Sequence, residues 1–236
     1  MNIIKSNKST FLLITLQLFT LFTLLLSACG ESTNKKKQME NKSKFTSLVS
    51  EKDQPGNSSS LDTLTLGGGC FWCVEAIYEM LDGVTKVESG FAGGTVKNPS
   101  YREVCTGSTG HAEVAQITFD NTKTSIDEVL KVFFSVHDPT SLNRQGDDVG
   151  TQYRSVIFFR NDNQRKIAQS IIDDLNNNHV YAKPIVTQVV PFTNFYKAED
   201  YHQDYYNQHK SEPYCRLVIQ PKLEKFEKTF KDRLKK

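Results

Sequence analysis

The chain has 236 residues, 38% of them hydrophobic and 24% charged, with a formal net charge of +2 at pH 7. That length accommodates one substantial domain, and ordinary aromatic content with near-neutral charge reads as soluble and globular. Nothing in the charge balance argues for a nucleic-acid partner.

The amino terminus reads as an export signal. Lys5 and Lys8 precede an apolar run from Phe11 to Leu26, which ends in the small residues Ser27 and Ala28 before Cys29. A basic segment, an apolar segment and small residues at a processing site make a secretory signal. An uncleaved membrane anchor is the alternative, because the run is almost long enough to span a bilayer. Leu26-Ser27-Ala28-Cys29 resembles the lipobox of bacterial lipoproteins. That resemblance implies removal of residues 1–28 and a diacylglycerol on the Cys29 thiol. The expected location is the outer face of the cytoplasmic membrane, or the periplasm or outer membrane. Residues 29–60, with Lys35-Lys36-Lys37 and Ser58-Ser59-Ser60, are polar and read as a flexible tether. The folded domain is expected over residues 61–236.

The first predicted strand alternates at Leu64 and Leu66 and runs into Gly67-Gly68-Gly69. From Cys70 the apolar residues Phe71, Val74, Ile77, Tyr78 and Leu81 recur at helical spacing. Cys70 is thus expected in the first turn of a helix, where unpaired N–H groups and the positive dipole end favour a thiolate. Cys73 follows one turn later on nearly the same face, at a separation a disulfide can span. Such a pair suits redox cycling. A structural zinc site would need two further ligands, and neither a second CxxC nor a close histidine pair is present. Phe71 and Trp72 are either core or a binding wall.

A second strand is predicted from Val84 to Phe91, a short helix or turn over Tyr101–Cys105, and a third strand through Ala115, Ile117 and Phe119. Glu113 opens that strand beside apolar residues; in a pocket, desolvation would keep it protonated and make it a proton donor. Ser125 and Glu128 form a capping-box pattern opening a helix to Val136. A long loop, Thr140–Gln152, leads to a strand over Tyr153–Phe159. Then come an amphipathic helix over Asn161–Asn178, a strand over Ile185–Val190, an aromatic-rich stretch helical from Glu199, and a terminal helix over Lys222–Lys236 with a basic outer face. The order suggests an α/β (α+β) two-layer plait with hairpin-like neighbours rather than a doubly wound sheet. With Cys29 lipidated, Cys70, Cys73, Cys105 and Cys215 remain. Two structural disulfides are the default in an oxidising compartment, though a Cys70–Cys73 loop is too short to gain much from cross-linking.

Four motifs, Gly69-Cys70-Phe71-Trp72, Asn98-Pro99-Ser100-Tyr101-Arg102-Glu103-Val104-Cys105, Gly110-His111-Ala112-Glu113 and Gly150-Thr151-Gln152-Tyr153-Arg154-Ser155, resemble peptide methionine sulfoxide reductase A in content and order. The likeness runs from about Leu64 to Pro221. It implies a ferredoxin-like core with extended loops and a C-terminal helix, no metal and no organic cofactor. It further implies reduction of methionine-S-sulfoxide, free or in proteins. By the resemblance, Cys70 attacks the sulfoxide sulfur, Phe71 and Trp72 hold the substrate methyl, and Glu113 protonates the oxygen. Tyr101 and Tyr153 bond that oxygen, and Asp148 is a polar pocket residue. A sulfenic acid then condenses with a second thiol, and an outside dithiol reduces the disulfide. Many members have Gly where Cys73 stands and resolve with a C-terminal cysteine, whose place Cys215 takes. The route is thus Cys70–Cys73, Cys70–Cys215 or a relay, and Cys105 is read as structural. The implied partners are methionine-sulfoxide proteins or peptides and thioredoxin or a thioredoxin-like reductant. The competing reading is a thiol–disulfide oxidoreductase using Cys70–Cys73, with no need of Glu113.

Overall fold

A computed structural model describes residues 60–236 of the chain. The export signal, Cys29 and most of the tether lie outside the described residues. A six-stranded sheet forms the centre. Its strands are β1 (Leu61–Gly68), β2 (Val84–Ala92), β3 (Ala112–Asp120), β6 (Ser155–Phe159), β7 (Gln188–Pro191) and β8 (Tyr196–Lys197), in the order β7-β6-β1-β3-β2-β8. Neighbours are antiparallel except β6 and β7. A separate two-residue hairpin, β4 (Arg144–Gln145) with β5 (Asp148–Val149), sits in the long loop. The helices are α1 (Phe71–Glu79), α2 (Tyr101–Cys105), α3 (Ile126–Val136), α4 (Asp162–Asn177), α5 (Tyr205–Gln208) and α6 (Gln220–Thr229).

The segment β1-α1-β2-β3-α3-β6 with strand order β6-β1-β3-β2 is the ferredoxin-like plait that the element order suggests. Register explains its layers. Leu64 pairs with Ile117 and Leu66 with Ala115, so these apolar side chains share the face covered by helices. Phe71, Ile77, Val129, Leu130 and Phe133 are buried above them. The opposite face carries Ala92, Ala112, Val114, Val156 and Phe158, covered by Val190, Phe192 and Phe195 from the chain after β6.

Caps account for several helix starts. Ser125 Oγ accepts from the Glu128 amide at 3.2 Å, and Ser100 and Glu103 form a reciprocal capping box at α2. Asn161 Oδ1 caps α4 through the Gln164 amide at 2.9 Å.

The structure departs from the predicted elements in four places. Tyr153 belongs to a 3₁₀ turn, Thr151–Tyr153, because Gly150 at φ 148° bends the chain ahead of β6. Residues 185 and 186 are outside β7: their amides bond Asn176 Oδ1 and the Pro139 carbonyl instead of a neighbouring strand. The stretch after Glu199 is a 3₁₀ turn and then α5, interrupted by Asp204 in the left-handed region at φ 51°. The terminal helix begins at Gln220 and stops at Thr229, and the chain closes with a Leu81–Leu234 bridge.

A π turn, Cys215–Ile219, runs directly into α6. Pro221 is the cause on the sequence side. It has no N–H, and its ring would press on the carbonyl four residues back, so the turn before it opens to the wider i→i−5 pattern. The Gln220 amide accordingly donates to the Cys215 carbonyl.

Candidate active site

The site forms where the end of β1, the start of β3 and the start of α1 meet. Gly69, at φ 96°, makes the turn from β1, and a Cβ there would lie 2.7 Å from the Gln145 side chain. The turn therefore needs glycine both for its backbone angle and for the close approach of the β4–β5 hairpin, which carries Asp148.

Cys70 is the N-cap of α1, one position earlier than the first helical turn, and its side chain caps nothing. The first helical amide, Phe71 N–H, donates instead to Glu113 Oε2 at 3.1 Å. Glu113 reaches this point because strand alternation puts residues 113, 115, 117 and 119 of β3 on the helix-covered face. It is 1% exposed, and its Oε1 has no partner. Burial pushes its carboxyl up to about 8, against the pull of the Phe71 amide. The group therefore holds a proton at neutral pH.

The thiol pair differs from what helix position alone implies. Burial, the Cys73 sulfur and the Glu113 carboxyl together raise Cys70 well above its ordinary value. Cys73 is the lowered thiol, at about 7, through the hydrogen bond from Cys70 and the neighbouring Lys222. Desolvation outweighs the helix terminus at Cys70, so Cys73 is the thiol of the pair that ionises first. Cys70 and Cys73 are 6% and 3% exposed.

Tyr101 and Tyr153, both half-buried, are raised by burial and then by the Glu113 charge, so they remain phenols able to donate. Asp148 Oδ2 accepts from Tyr214 OH at 3.0 Å, and Tyr214 also faces Cys70. Phe71 is fully buried between Phe91, Tyr101 and His202. Trp72 is half-buried and stacks on Tyr205, with centroids 3.7 Å apart and planes 7° apart. Cys215 is fully buried at the π turn just after Tyr214. Cys105, read as structural, is exposed at the end of α2. Among the described residues the four cysteines, Cys70, Cys73, Cys105 and Cys215, are free thiols and form no structural disulfide with one another.

Several residues around the site were not singled out from sequence. Trp72 Nε1 donates to His202 Nδ1 at 3.2 Å, and the Tyr101 amide donates to Glu199 Oε1 at 3.0 Å. Lys222 Nζ lies 3.4 Å from Cys73 Sγ rather than on the outer face of the terminal helix. The density of aromatic residues from Phe195 to His209 was the available signal for His202 and Tyr205; nothing local marks Lys222. A cavity of about 500 Å³ lies elsewhere, between α1, α5 and α6 beside Glu79, Tyr206 and Glu227. It shares none of the residues above. Among the described residues no group of three or more His, Cys, Asp or Glu is placed to hold a metal.

A thiol beside a second sulfur, with a protonated carboxyl and two phenols near it, can take an oxygen from an oxidised substrate and release it as water. Such a site defines a thiol-dependent oxidoreductase. The family model for peptide methionine sulfoxide reductase matches residues 62–234. The chain belongs to that family, and its reaction is the reduction of methionine sulfoxide to methionine. A peptide methionine sulfoxide reductase MsrA of Saccharolobus solfataricus is 55% identical over 74% of this chain and 98% of its own length. Mxr1 from Saccharomyces cerevisiae in reduced form superposes with a TM-score of 0.61 at 32% identity, over 68% of this chain and 92% of that one. Methionine sulfoxide reductase A of Corynebacterium diphtheriae gives 0.57 at 35% identity, over 65% and 77%.

Proposed function

We propose that the domain reduces the S epimer of methionine sulfoxide with Cys70 as the nucleophile and Glu113 as the acid. The observation carrying this reading is the unpartnered Oε1 of a carboxyl that stays protonated up to about pH 8, next to the helix turn that holds Cys70. A sulfoxide oxygen leaves sulfur poorly until protonated. Glu113 supplies that proton, and Tyr101 and Tyr153 donate to the same oxygen as charge develops on it. As it attacks, Cys70 passes its proton to the hydrogen-bonded Cys73 thiolate; its sulfur takes the oxygen as a sulfenic acid, the product thioether departs, and Cys73 then gives its proton to solvent. Phe71 and Trp72 form the apolar side of the pocket, and Asp148 orients Tyr214 at its rim.

Cys73 resolves the sulfenic acid first, because it is the lowered thiol of the pair and one helical turn away. Cys215 then takes up the disulfide and passes it toward a thioredoxin-like dithiol. The thiol–disulfide oxidoreductase reading gives Glu113 no work. At the amino terminus, the signal pattern and Cys29 support an exported, lipid-anchored protein acting on oxidised surface or exported polypeptides. Among the described residues no helix is long and apolar enough to cross a membrane.

The test supplies separated S and R epimers of N-acetylmethionine sulfoxide with dithiothreitol. Turnover of S alone, abolished by Cys70→Ser, is expected; turnover surviving Cys70→Ser would remove the nucleophile assignment.

A further inference from the structure

The ammonium of Lys222 has few acceptors. Lys222 is half-buried, and together with Cys73 it lines a narrow gap whose other walls are Val74, Ile77, Phe133 and His137, with about 10 Å³ left open. His137 cannot accept from it: its Nδ1 faces the Phe133 carbonyl at 2.6 Å and its Nε2 faces Ser155 Oγ at 2.7 Å. Among the described residues no carboxylate lies within ion-pair distance of Lys222. The group that meets the ammonium is Cys73 Sγ at 3.4 Å. A cation half removed from water is favoured by a nearby anion, and a Cys73 thiolate is the one within hydrogen-bond reach.

We propose that Lys222 is a positioning residue for the resolving step, holding Cys73 as a thiolate directed at Cys70. This rests on the reading that Cys73 resolves. Cys73 Sγ attacks the sulfur of the Cys70 sulfenic acid, forming an S–S bond and breaking S–O. The departing hydroxide takes the proton that Cys73 had released to solvent and leaves as water. The bond consumes the negative charge on Cys73, so Lys222 stabilises the attacking species and loses its partner in the product. The other titratable groups facing Cys73 are Cys70, which donates to it, and Asp148, whose charge opposes the thiolate. Glu113, Tyr214 and Cys215 also feel its charge.

The experiment uses the chain with Cys105 and Cys215 replaced by Ser, so that only Cys70 and Cys73 can pair in the domain. One equivalent of N-acetylmethionine S-sulfoxide is mixed with it. Methionine release, trapping of sulfenic acid by dimedone and loss of free thiol are followed between pH 5.5 and 9.5. In Lys222→Met the ratio of disulfide formation to methionine release should fall several-fold at pH 7, because the thiolate loses the ammonium while keeping the hydrogen bond from Cys70. The pH profile of disulfide formation should move upward, the trapped sulfenic acid should rise, and Lys222→Arg should restore both. An unchanged ratio and unchanged profile in Lys222→Met would overturn the proposal. Methionine release reports that the fold is intact; if Lys222→Met does not fold, Lys222→Gln gives the same comparison. Cys73→Ser in the otherwise native chain separates the two readings. If it turns over as fast as the parent, Cys73 is not the resolving thiol and both fall; if it stalls while Lys222→Met does not, only the role of Lys222 falls.

Discussion

At the scale of single residues, the chemistry is set by which groups burial keeps neutral. Glu113 holds its proton to about pH 8. If the acid form is the active one, as proposed, the rate of methionine release should be flat below that pH and decline as pH rises through it. Glu113→Gln should lower the rate by about 10²–10⁴-fold, the usual worth of a positioned acid, and remove the decline. Single-turnover methionine release against pH checks both; a decline near pH 8 that persists in the variant would assign it elsewhere. The position of Glu113 was legible in the sequence, since period-2 alternation in β3 fixes its face once Ile117 and Phe119 are seen to be apolar. The state of Cys70 was not. Helix position argued for a thiolate there, but desolvation and the second sulfur decide otherwise, and both depend on chain segments far from Cys70.

At the scale of elements, α1 is held on the sheet by apolar packing and by the carboxyl of Glu75, buried between Ser89 of β2 and the start of α5. Glu75 is 2% exposed and pushed up to about 7, chiefly by burial, with the amides of Asp204 and Tyr205 pulling it back. The folded state binds this proton more tightly than the unfolded chain. Its contribution is therefore complete below about pH 4.5 and is lost as pH rises through about 7. Thermal unfolding of Glu75→Gln should show a higher Tm than the parent at pH 8 and a smaller difference at pH 5. Elements were read well where they are long and capped: α3 begins at the Ser125–Glu128 pattern and α4 at Asn161. The two-residue strands β4, β5 and β8 are too short to carry a period. The break at Asp204 depends on a left-handed conformation that aspartate adopts without any local marker in sequence.

At the scale of the whole molecule, the carboxyl-terminal segment closes the domain over the site. Leu223, Phe226 and Phe230 of this segment are buried as α6 packs on α1 and α3. Phe226→Ala should cost about 3–5 kcal/mol, the range for deleting a buried aromatic side chain. Chemical denaturation measures it, and a loss below about 1 kcal/mol would mean that α6 is only loosely docked. The same segment carries Cys215 and Lys222, so the proposed Lys222–Cys73 pairing would tie its docking to the redox state of α1. Once a Cys70–Cys73 bond removes the thiolate, Lys222 has no anion to hold it. Amide hydrogen exchange over residues 215–229 should then be faster in the oxidised protein than in the reduced one, and equally fast in both states of Lys222→Met.

The proline behind the π turn acquires a meaning beyond backbone satisfaction. Each residue added to or removed from a helix swings everything after it by about 100° around the axis. The widened turn before Pro221 therefore fixes the compass bearing of α6, one residue ahead of Lys222. Pro221→Ala would let the segment rewind to regular α-helix and carry the amine away from Cys73 without touching either reacting group. A side chain with no chemistry of its own thus acts as the dial that aims a charge at a sulfur.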